Sequence, residues 1–252
     1  MPQSHTLIIG GTKGMGHSTA EYLAHRGHTV SAVGRNPPKE EEKQNLSYWS
    51  LDLLEKKEIP RVLEESIEKN GKINNILFFQ RYRGEGNGER GEIAVSLEAP
   101  QCIIEYAKER FDETRENSII FISSLASNFI AEEQGLDYHM AKAGLQQMVK
   151  YYAVTLGRRK IRVNSISPST VLKKESFYHF TEDKDLSDLY RKITPLERMV
   201  TAEDIASTIF FLCEPKAPPI TGQNIIIDGG TSLQWHESLG RSLYDKIKER
   251  RK

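Results

Sequence analysis

The sequence predicts an α/β fold, a doubly wound parallel sheet of about seven strands with helices on both faces. Short β-branched apolar runs alternate with longer segments of helical periodicity, and this alternation is typical of parallel strands joined by helical crossovers. Strands are expected at residues 6–9, 28–33, 48–51, 76–79, 118–122, 162–166 and 224–227. Helices are expected at residues 16–26, 56–69, 93–110, 141–157 and 202–213.

Length and charge narrow the classes of function. The 252 residues fit a single α/β domain, a class that reaches roughly 250 residues as one unit. The 35 basic and 35 acidic residues cancel, so no global field would attract nucleic acid or an anionic membrane. Apolar runs such as residues 209–213 are far shorter than the about 18 residues that span a membrane. We therefore expect a small-molecule partner, with no nucleic acid and no membrane.

The first residues and the cysteines indicate a cytoplasmic protein. Residues 1–6 are polar and lead directly into a predicted strand, which leaves no room for a signal peptide. Cys102 and Cys213 occur in helix-like segments without metal-ligand spacing, and we expect both to be buried, reduced thiols. Residues 241–252 carry six basic and two acidic residues and are expected to form a solvated helical tail.

A glycine-rich loop follows the first predicted strand. Residues 10–16 read Gly-Gly-Thr-Lys-Gly-Met-Gly, and the helical pattern begins at their end. Glycines allow tight turns and close backbone approach, and the helix N-terminus offers N–H groups to a pyrophosphate. The loop predicts a Rossmann-type dinucleotide site, with these cofactor-binding residues: Gly10, Thr12, Lys13, Gly14, Met15 and Gly16.

The spacing of these glycines, Gly-x-x-x-Gly-x-Gly, resembles that of the short-chain dehydrogenase/reductase family. Residues 194–198, 202–206, 221–223 and 228–230 resemble the family's C-terminal landmarks in the same order, so the resemblance extends over nearly the whole chain. It implies a catalytic domain that binds NADP(H) over residues 1–240, followed by the basic tail at 241–252. It also implies the family's homodimer or homotetramer.

The choice of cofactor depends on the end of the second strand. Where an NAD enzyme of this family would carry a carboxylate for the ribose, the chain has Gly34 and Arg35. A guanidinium pairs with a 2′-phosphate, whereas a carboxylate repels it. Lys13 stands where NADP-preferring relatives often place a second cation. We therefore predict NADP(H) over NAD(H), with plain surface charge as the alternative for both cations.

Three further residues are predicted to contact the cofactor. Asp52 and Leu53 follow the third strand and resemble the family's residues that border the adenine, although Asp52 could equally be a helix N-cap. Val171 follows the sixth strand, where residues 168–171 replace the family's Pro-Gly.

The predicted catalytic residues are Ser124, Tyr138 and Lys142. Tyr138 and Lys142 are four residues apart and share a helix face if that segment is helical, but Tyr244 and Lys248 have the same spacing. Only Tyr138 follows a strand that ends in a serine pair. A free phenol titrates near pH ~10 and needs a nearby cation to act at neutrality. The resemblance implies that Tyr138 protonates a carbonyl oxygen, Ser124 hydrogen-bonds that oxygen and Lys142 holds the nicotinamide ribose.

The chain departs from the family at three places. Residues 78–81 read Phe-Phe-Gln-Arg instead of Asn-Asn-Ala-Gly, Ser96 aligns with the family's catalytic asparagine, and Lys173 aligns with a threonine that binds the carboxamide. We therefore expect an altered proton relay and altered nicotinamide contacts. Arg81, Arg83 and Lys173 favour an anionic substrate, although exposed loop charge explains them equally well.

Residues 172–194 are predicted to be a long irregular stretch that serves as a substrate lid, because they follow the sixth strand at the edge where ligands enter. His179 lies within this lid. His139 points about 100° away from Tyr138 on a helix and is expected to be non-catalytic, as is His17.

The leading hypothesis is an oxidoreductase that transfers a hydride between NADP(H) and a small organic carbonyl or alcohol. The alternative is a non-catalytic NADP(H)-binding scaffold or sensor, which the absent asparagine favours and the intact Ser124, Tyr138 and Lys142 oppose. A third hypothesis directs the hydride to a conjugated double bond. Enoyl reductases of related fold space their tyrosine and lysine further apart than this chain does.

Overall fold

The computed structural model describes residues 3–38, 43–82, 84, 88–173, 180, 182–214, 217 and 219–249. The strands are β1 (His5–Ile9), β2 (Thr29–Gly34), β3 (Leu46–Ser50), β4 (Asn75–Phe78), β5 (Asn117–Ile122), β6 (Ile161–Pro168), β7 (Val171–Leu172), β8 (Val200–Thr201) and β9 (Asn224–Ile227). The helices are α1 (Gly14–His25), α2 (Ile59–Asn70), α3 (Gly88–Ile93), α4 (Ala99–Ala107), α5 (Leu136–Thr155), α6 (Lys184–Ile193), α7 (Ala202–Cys213) and α8 (His236–Glu249).

Seven strands form one parallel sheet in the order β3-β2-β1-β4-β5-β6-β9, and β7 and β8 form a separate pair. The predicted doubly wound parallel sheet is confirmed. From β1 the chain adds β2 and β3 on one side of the sheet and then returns to add β4, β5 and β6 on the other side, so the strand order reverses between β1 and β4. There Thr6 pairs with Asn75 and Ile9 pairs with Phe78. In open α/β sheets, ligands bind beyond the carboxyl ends of the strands at such a reversal.

Two apolar cores lie on opposite faces of the sheet. Leu7 and Ile9 of β1 belong to the core formed with α2, α4 and α5. Ile8 between them belongs to the second core, formed with α1 and α7. Because successive side chains of a strand point to opposite faces, a continuous apolar run such as residues 7–9 supplies both cores.

Helix boundaries near the carboxyl edge differ from the predicted ones. α5 begins at Leu136 rather than at residue 141, so that Tyr138 lies in its first turn. The helix predicted over residues 93–110 begins at Gly88 and is interrupted by a π-helical turn, Ala94–Glu98. Pro100 in the first turn of α4 has no N–H for the carbonyl of residue 96, which accounts for the break in the α-helical pattern there.

The segment over residues 172–194 is not wholly irregular as predicted. It contains α6, whose first turn is capped by Asp183, because the Asp183 carboxylate accepts a hydrogen bond from the Leu186 N–H at 2.9 Å. Leu186, Leu189 and Ile193 recur at helical spacing among charged residues. His179 lies outside the described residues, as do residues 174–178 and 181.

The two cysteines differ in exposure. Cys213 is buried, and burial raises the pKa of its thiol, whereas Cys102 is exposed, so the prediction that both are buried was wrong. Ile103 and Ile104 lie on the face of α4 that packs against the core. Cys102 lies on the opposite face of this helix. Within the described ranges, no helix has the length and apolar character needed to cross a membrane, and no three potential metal ligands cluster.

Candidate active site

A cavity of about 980 Å³ opens at the carboxyl edge of the sheet, beside the reversal between β1 and β4. Every residue predicted from sequence to serve catalysis or cofactor binding lines it. These are Gly10, Thr12, Lys13, Gly14, Met15, Gly16, Arg35, Asp52, Leu53, Ser124, Tyr138, Lys142 and Val171. The sheet therefore brings together residues that are up to 161 positions apart in the chain (171 − 10).

The glycine loop forms a close backbone turn at one end of the cavity. Gly10 and Gly14 have φ values of 81° and 57°, a region that favours glycine. A Cβ added to Gly16 would lie 2.2 Å from the carbonyl oxygen of Gly10, so only glycine fits there. α1 begins at Gly14, and no side chain caps its N-terminus. Since Lys13, Gly14 and Gly16 line the cavity, the positive end of α1 faces it.

Two cations lie at the same end of the cavity. Arg35 directly follows β2, whose last residue Gly34 is so close to the loop that an added Cβ would lie 2.3 Å from Thr12 Oγ1. Arg35 and Lys13 are both exposed and line the cavity. Within the described part of the chain, neither side chain has an ion-pair partner. The cavity therefore presents two available positive charges next to the glycine loop.

Asp52 lies in the turn after β3 and is not the helix N-cap that the sequence offered as an alternative, because Glu55 precedes the 3₁₀ turn and Glu58 precedes α2. Its carboxylate accepts a hydrogen bond from the Leu54 N–H at 3.0 Å and thus stabilises the turn after β3. The same residue and its neighbour Leu53 line the cavity. The contact within the turn therefore does not remove Asp52 from the candidate site.

Lys142 is a buried cation, 4% exposed, on α5. Its Nζ donates a hydrogen bond to the carbonyl oxygen of Ile122 at 3.0 Å and lies 5.5 Å from the centre of the Tyr138 ring. Burial lowers the pKa of Lys142 to about 8, the negative charge of Glu92 opposes this shift, and the positive charge of Arg81 adds to it. The ammonium is therefore held beside Tyr138 with a protonation state that can change near neutral pH.

Tyr138 is half-buried and lies next to a second cation. The guanidinium carbon of Arg81 is 4.9 Å from the centre of the Tyr138 ring. Arg81 also donates a hydrogen bond to Gln134 Oε1 at 2.6 Å, which ties the segment after β4 to the loop before α5. Arg81 and Tyr138 therefore line the same part of the cavity.

Ser124 lies two residues after the end of β5, beyond Ser123, and caps a short 3₁₀ turn. Its Oγ accepts a hydrogen bond from the Ala126 N–H at 3.2 Å. None of the described residues accepts the hydroxyl hydrogen of Ser124, so it can donate to an oxygen in the cavity. This is the hydrogen-bonding capacity that a carbonyl substrate requires.

His139 has a structural role in the loop before α5. Its Nδ1–H donates to the carbonyl oxygen of Gly135 at 2.8 Å, and its Nε2 accepts from the Ala131 N–H at 3.0 Å. These contacts account for both ring nitrogens. His17 contacts the hydroxyl of Tyr48 at 3.1 Å and does not line the cavity.

Sequence reasoning did not single out two buried polar groups in the cavity wall. Gln80 Oε1 and Ser123 Oγ have no hydrogen-bond partner among the described residues, although their residues are 9% and 4% exposed. Buried polar groups are normally paired, so a ligand is the expected partner. Gln80 belongs to the predicted departure at residues 78–81, which was the available indication.

The cavity fits a phosphorylated dinucleotide. Its volume lies at the upper end of the roughly 300–1,000 Å³ of ligand pockets. A glycine cradle lies along it, together with two cations and two buried polar groups that have no partner among the residues the structure describes. No acidic residue occupies the first turn of α1 to repel a pyrophosphate.

Two predicted departures lie in different places. Lys173 lines the cavity, as a residue near the nicotinamide would. Ser96 is buried within the π-helical turn and does not line the cavity, and its Oγ donates to Glu92 Oε1 at 2.5 Å. The exposed Tyr244 and its neighbour Lys248 lie on α8 and do not line the cavity either.

Comparison with known families identifies the chain. A family model of short-chain dehydrogenases, described as enoyl-(acyl carrier protein) reductase, matches residues 10–232. The chain belongs to the short-chain dehydrogenase/reductase family. It is therefore an oxidoreductase by family, as the glycine spacing and the C-terminal landmarks predicted.

Curated relatives of this short-chain dehydrogenase/reductase include two tropinone reductase homologs of Arabidopsis thaliana. One is 27% identical over 245 residues and is matched over 90% of this chain and 78% of the relative. The other is 28% identical over 246 residues, covering 90% of each chain. Both alignments extend over nearly the whole sequence.

Solved structures share the fold of this short-chain dehydrogenase/reductase. A short chain dehydrogenase family protein from Francisella tularensis subsp. tularensis SCHU S4 is 25% identical, with a TM-score of 0.77 over 92% of this chain and 100% of that chain. A structure described as ElxO with NADP bound is 21% identical, with a TM-score of 0.80 and the same coverage of both chains, 92% and 100%.

Proposed function

We propose that the protein is an NADP(H)-dependent reductase or dehydrogenase that interconverts a carbonyl and an alcohol on a small organic substrate. The observation that carries the proposal is that Ser124, Tyr138 and the buried Lys142 line the same cavity as the glycine cradle. These groups supply a hydrogen-bond donor, a phenol and a cation at one place. Family membership supports the reaction class.

The proposed cofactor is NADP(H), bound along the cavity. The pyrophosphate would bind at the N-terminus of α1 and at the glycine turn, which contains Gly10, Gly14 and Gly16. Arg35 and Lys13 would pair with the 2′-phosphate, since both are cations without an ion-pair partner in the described ranges.

The other cofactor contacts follow from the cavity wall. Asp52 and Leu53 would border the adenine, and Val171 would contact the nicotinamide end. The bound NADP in ElxO, whose fold this chain shares, supports this choice of cofactor.

The proposed catalytic residues have different tasks. NADPH, when bound, supplies the hydride. Ser124 donates its free hydroxyl hydrogen to the substrate oxygen, and Tyr138 transfers its phenolic proton to that same oxygen. The Lys142 ammonium, 5.5 Å from the Tyr138 ring centre, stabilises the negative charge left on the phenol oxygen and holds the nicotinamide ribose.

The proposed assembly is a cytoplasmic homodimer or homotetramer without nucleic-acid or membrane partners. Exposed apolar side chains along α5, at Leu136, Met140, Tyr151 and Val154, support self-association through that helix. Residues 172–194 are proposed as the substrate lid of a domain that spans residues 1–240, since Tyr190 and Ile193 line the cavity.

A matched pair of tyrosine variants tests the proposal. Consumption of NADPH is followed with a panel of ketones, enones and oxo-acids for the wild type, Tyr138→Phe and Tyr244→Phe. Tyr138→Phe is expected to lose activity about 100- to 10,000-fold while NADPH binding changes less than about threefold. Tyr244→Phe removes a phenol with the same spacing to a lysine, outside the cavity, and should keep full activity.

The second candidate is an NADP(H)-binding sensor without efficient turnover. The observation that favours it is that Ser96, at the family's asparagine position, lies outside the cavity. Tight NADPH binding without turnover of any panel member would favour the sensor. Full activity of Tyr138→Phe would instead refute the role given to the phenol.

A further inference from the structure

A buried carboxylate lies in the helix layer next to Lys142. Glu92 on α3 is 4% exposed, as is Lys142 on α5, and the two helices pack against each other. Burying a charged group is costly unless an opposite charge and hydrogen bonds compensate it. The fold therefore retains two buried opposite charges close to the candidate active site.

Ser96 holds the Glu92 carboxylate in place. The Ser96 hydroxyl donates to Glu92 Oε1 at 2.5 Å, across the π-helical turn that begins at Ala94. A hydrogen bond to a carboxylate is short and strong because the acceptor is charged. Ser96 thus fixes the direction of the Glu92 carboxylate.

Among the described residues, the charged and titratable groups that act on the Lys142 ammonium come from three parts of the fold. Tyr138 lies on the same helix, Arg81 follows β4, and Glu92 comes from α3. Burial and the positive charge of Arg81 both favour the neutral amine, whereas the negative charge of Glu92 favours the ammonium. The Lys142 hydrogen bond goes to Ile122 and not to Glu92, so Glu92 acts on Lys142 through its charge.

We propose that Glu92 is a positioning residue whose carboxylate, oriented by Ser96, is the counter-ion that keeps Lys142 charged beside Tyr138. The inference rests on the proposed role of Lys142. It assigns Ser96 the role of orienting Glu92. Ser96 occupies the position where the family resemblance places an asparagine, but it does not line the cavity. In this chain Glu92 and Ser96, which do not line the cavity, would stabilise the charge of Lys142, which does.

The direct test measures the protonation of Lys142 in ligand-free protein. Lysines are acylated with trace acetic anhydride across a pH series, and the modification of each lysine is quantified by mass spectrometry. The labelling midpoint of Lys142 is expected at about pH 8 in the wild type. In Glu92→Gln it should fall by roughly one pH unit, because the charge that favours the ammonium is gone.

Glu105→Gln is the matched control. Glu105 on α4 accepts a hydrogen bond from the Tyr152 hydroxyl on α5 at 2.9 Å, a contact between the same helix layers that lies away from the cavity. This variant should leave the Lys142 midpoint and the activity unchanged. A folded Glu92→Gln protein with an unchanged Lys142 midpoint would overturn the inference.

A double variant keeps the test decisive if Glu92→Gln does not fold. Removing one partner of a buried charge pair is strongly destabilising, whereas removing both is often tolerated. Glu92→Gln/Lys142→Met should therefore recover the folded state by circular dichroism. If the double variant also stays unfolded, Glu92 is required for packing and the inference is overturned.

The labelling result is independent of turnover. A lowered Lys142 midpoint in Glu92→Gln without turnover of any substrate by the wild type would support the inference about Glu92 and contradict the proposed reaction. Turnover by the wild type, together with an unchanged Lys142 midpoint in Glu92→Gln, would support the proposed reaction and contradict the inference about Glu92. If the proposed reaction and the inference about Glu92 are both correct, the fall in kcat/KM at alkaline pH should begin at a lower pH in Glu92→Gln. In Glu105→Gln it should begin at the same pH as in the wild type.

Discussion

The Lys142 ammonium donates a hydrogen bond at 3.0 Å to the carbonyl of Ile122, the last residue of β5. This contact joins α5 to the strand end that continues into Ser123 and Ser124. Tyr138, one turn before Lys142 on α5, is thereby fixed relative to Ser124. Ser124, Tyr138 and Lys142 thus meet at one sheet edge because a buried lysine connects the strand and the helix that carry them.

Activity should fall as the pH rises through about 8. Burial lowers the pKa of Lys142 to about 8, so the amine loses its proton above that pH and can no longer stabilise charge beside Tyr138. We expect kcat/KM for NADPH, which reports ionisations of the free enzyme, to decline about tenfold per pH unit beyond that point. Lys142→Met should be nearly inactive at every pH, whereas Lys150→Met, at an exposed position of the same helix, should keep the wild-type profile. A flat profile up to about pH 10 would contradict the role of Lys142.

Replacing Arg35 should change the choice of cofactor. Arg35→Gln removes a free guanidinium next to the glycine loop, and a hydrogen bond to a charged group accounts for about 10- to 100-fold in affinity. We expect kcat/KM for NADPH to fall by this factor while that for NADH changes less than about threefold. Arg26→Gln, which removes an exposed arginine stacked on Tyr22 outside the cavity, is the control. If kcat/KM fell equally with NADPH and NADH, Arg35 would not be the residue that binds the 2′-phosphate.

The glycine loop should not tolerate a side chain at residue 16. In Gly16→Ala the new Cβ would lie 2.2 Å from the Gly10 carbonyl oxygen, and a backbone atom cannot move aside as a side chain could. We expect NADPH binding, followed by fluorescence titration, to weaken at least about tenfold, together with a lower melting temperature. Gly157→Ala meets no atom within 4 Å and should bind NADPH normally. Normal binding by Gly16→Ala would show that the loop does not hold the pyrophosphate.

The sheet, and the meeting of the glycine loop with its neighbouring cations at one end of the cavity, could be predicted because local patterns determine them. A continuous apolar run such as residues 7–9 predicts a strand buried on both faces, and the glycines at 10, 14 and 16 follow it directly. Lys13 and Arg35 could be placed at the same end because both directly adjoin elements of that pattern.

The parts that were missed depend on tertiary contacts. Glu92 looks like a solvated helical residue, and only the packing of α3 on α5 makes it a buried carboxylate near Lys142. Cys102 was assigned to the core from its residue type and its helix-like segment, but which side of α4 faces the core depends on the packing of that helix. The spacing of four residues between Glu92 and Ser96 was the available indication of their hydrogen bond.

Two buried histidines at the opposite edge of the sheet should make the fold sensitive to acid. The Nδ1–H of His5 donates to the Gly71 carbonyl at 2.7 Å, and its Nε2 accepts from the Ser31 hydroxyl at 2.7 Å. His28 Nδ1 is hydrogen-bonded to Thr6 Oγ1 at 2.8 Å. Burial lowers the pKa of both imidazoles to about 4, and for His28 the charge of Arg115 adds to the shift.

The sign of the pH effect follows from these lowered pKa values. Between about pH 6.5 and 4 the unfolded chain binds protons that the folded chain excludes, so the free energy of unfolding falls as the pH falls. The slope from each histidine approaches about 1.4 kcal/mol per pH unit only below the unfolded pKa of ~6.5, so the pair should lose roughly 2 kcal/mol between pH ~6.5 and ~5.4. The Arg198 side chain lowers the pKa of Asp204 to about 2, and that contribution is lost only at lower pH.

Urea unfolding at a series of pH values measures this slope. His28→Gln is expected to be less stable than the wild type at neutral pH, because it loses packing and the Thr6 contact, yet to show about half the loss of stability on acidification. His25→Gln, at an exposed position on α1, should keep the full wild-type slope. If His28→Gln keeps the full slope as well, protonation of this buried imidazole is not what destabilises the fold, and the acid sensitivity must arise from other groups.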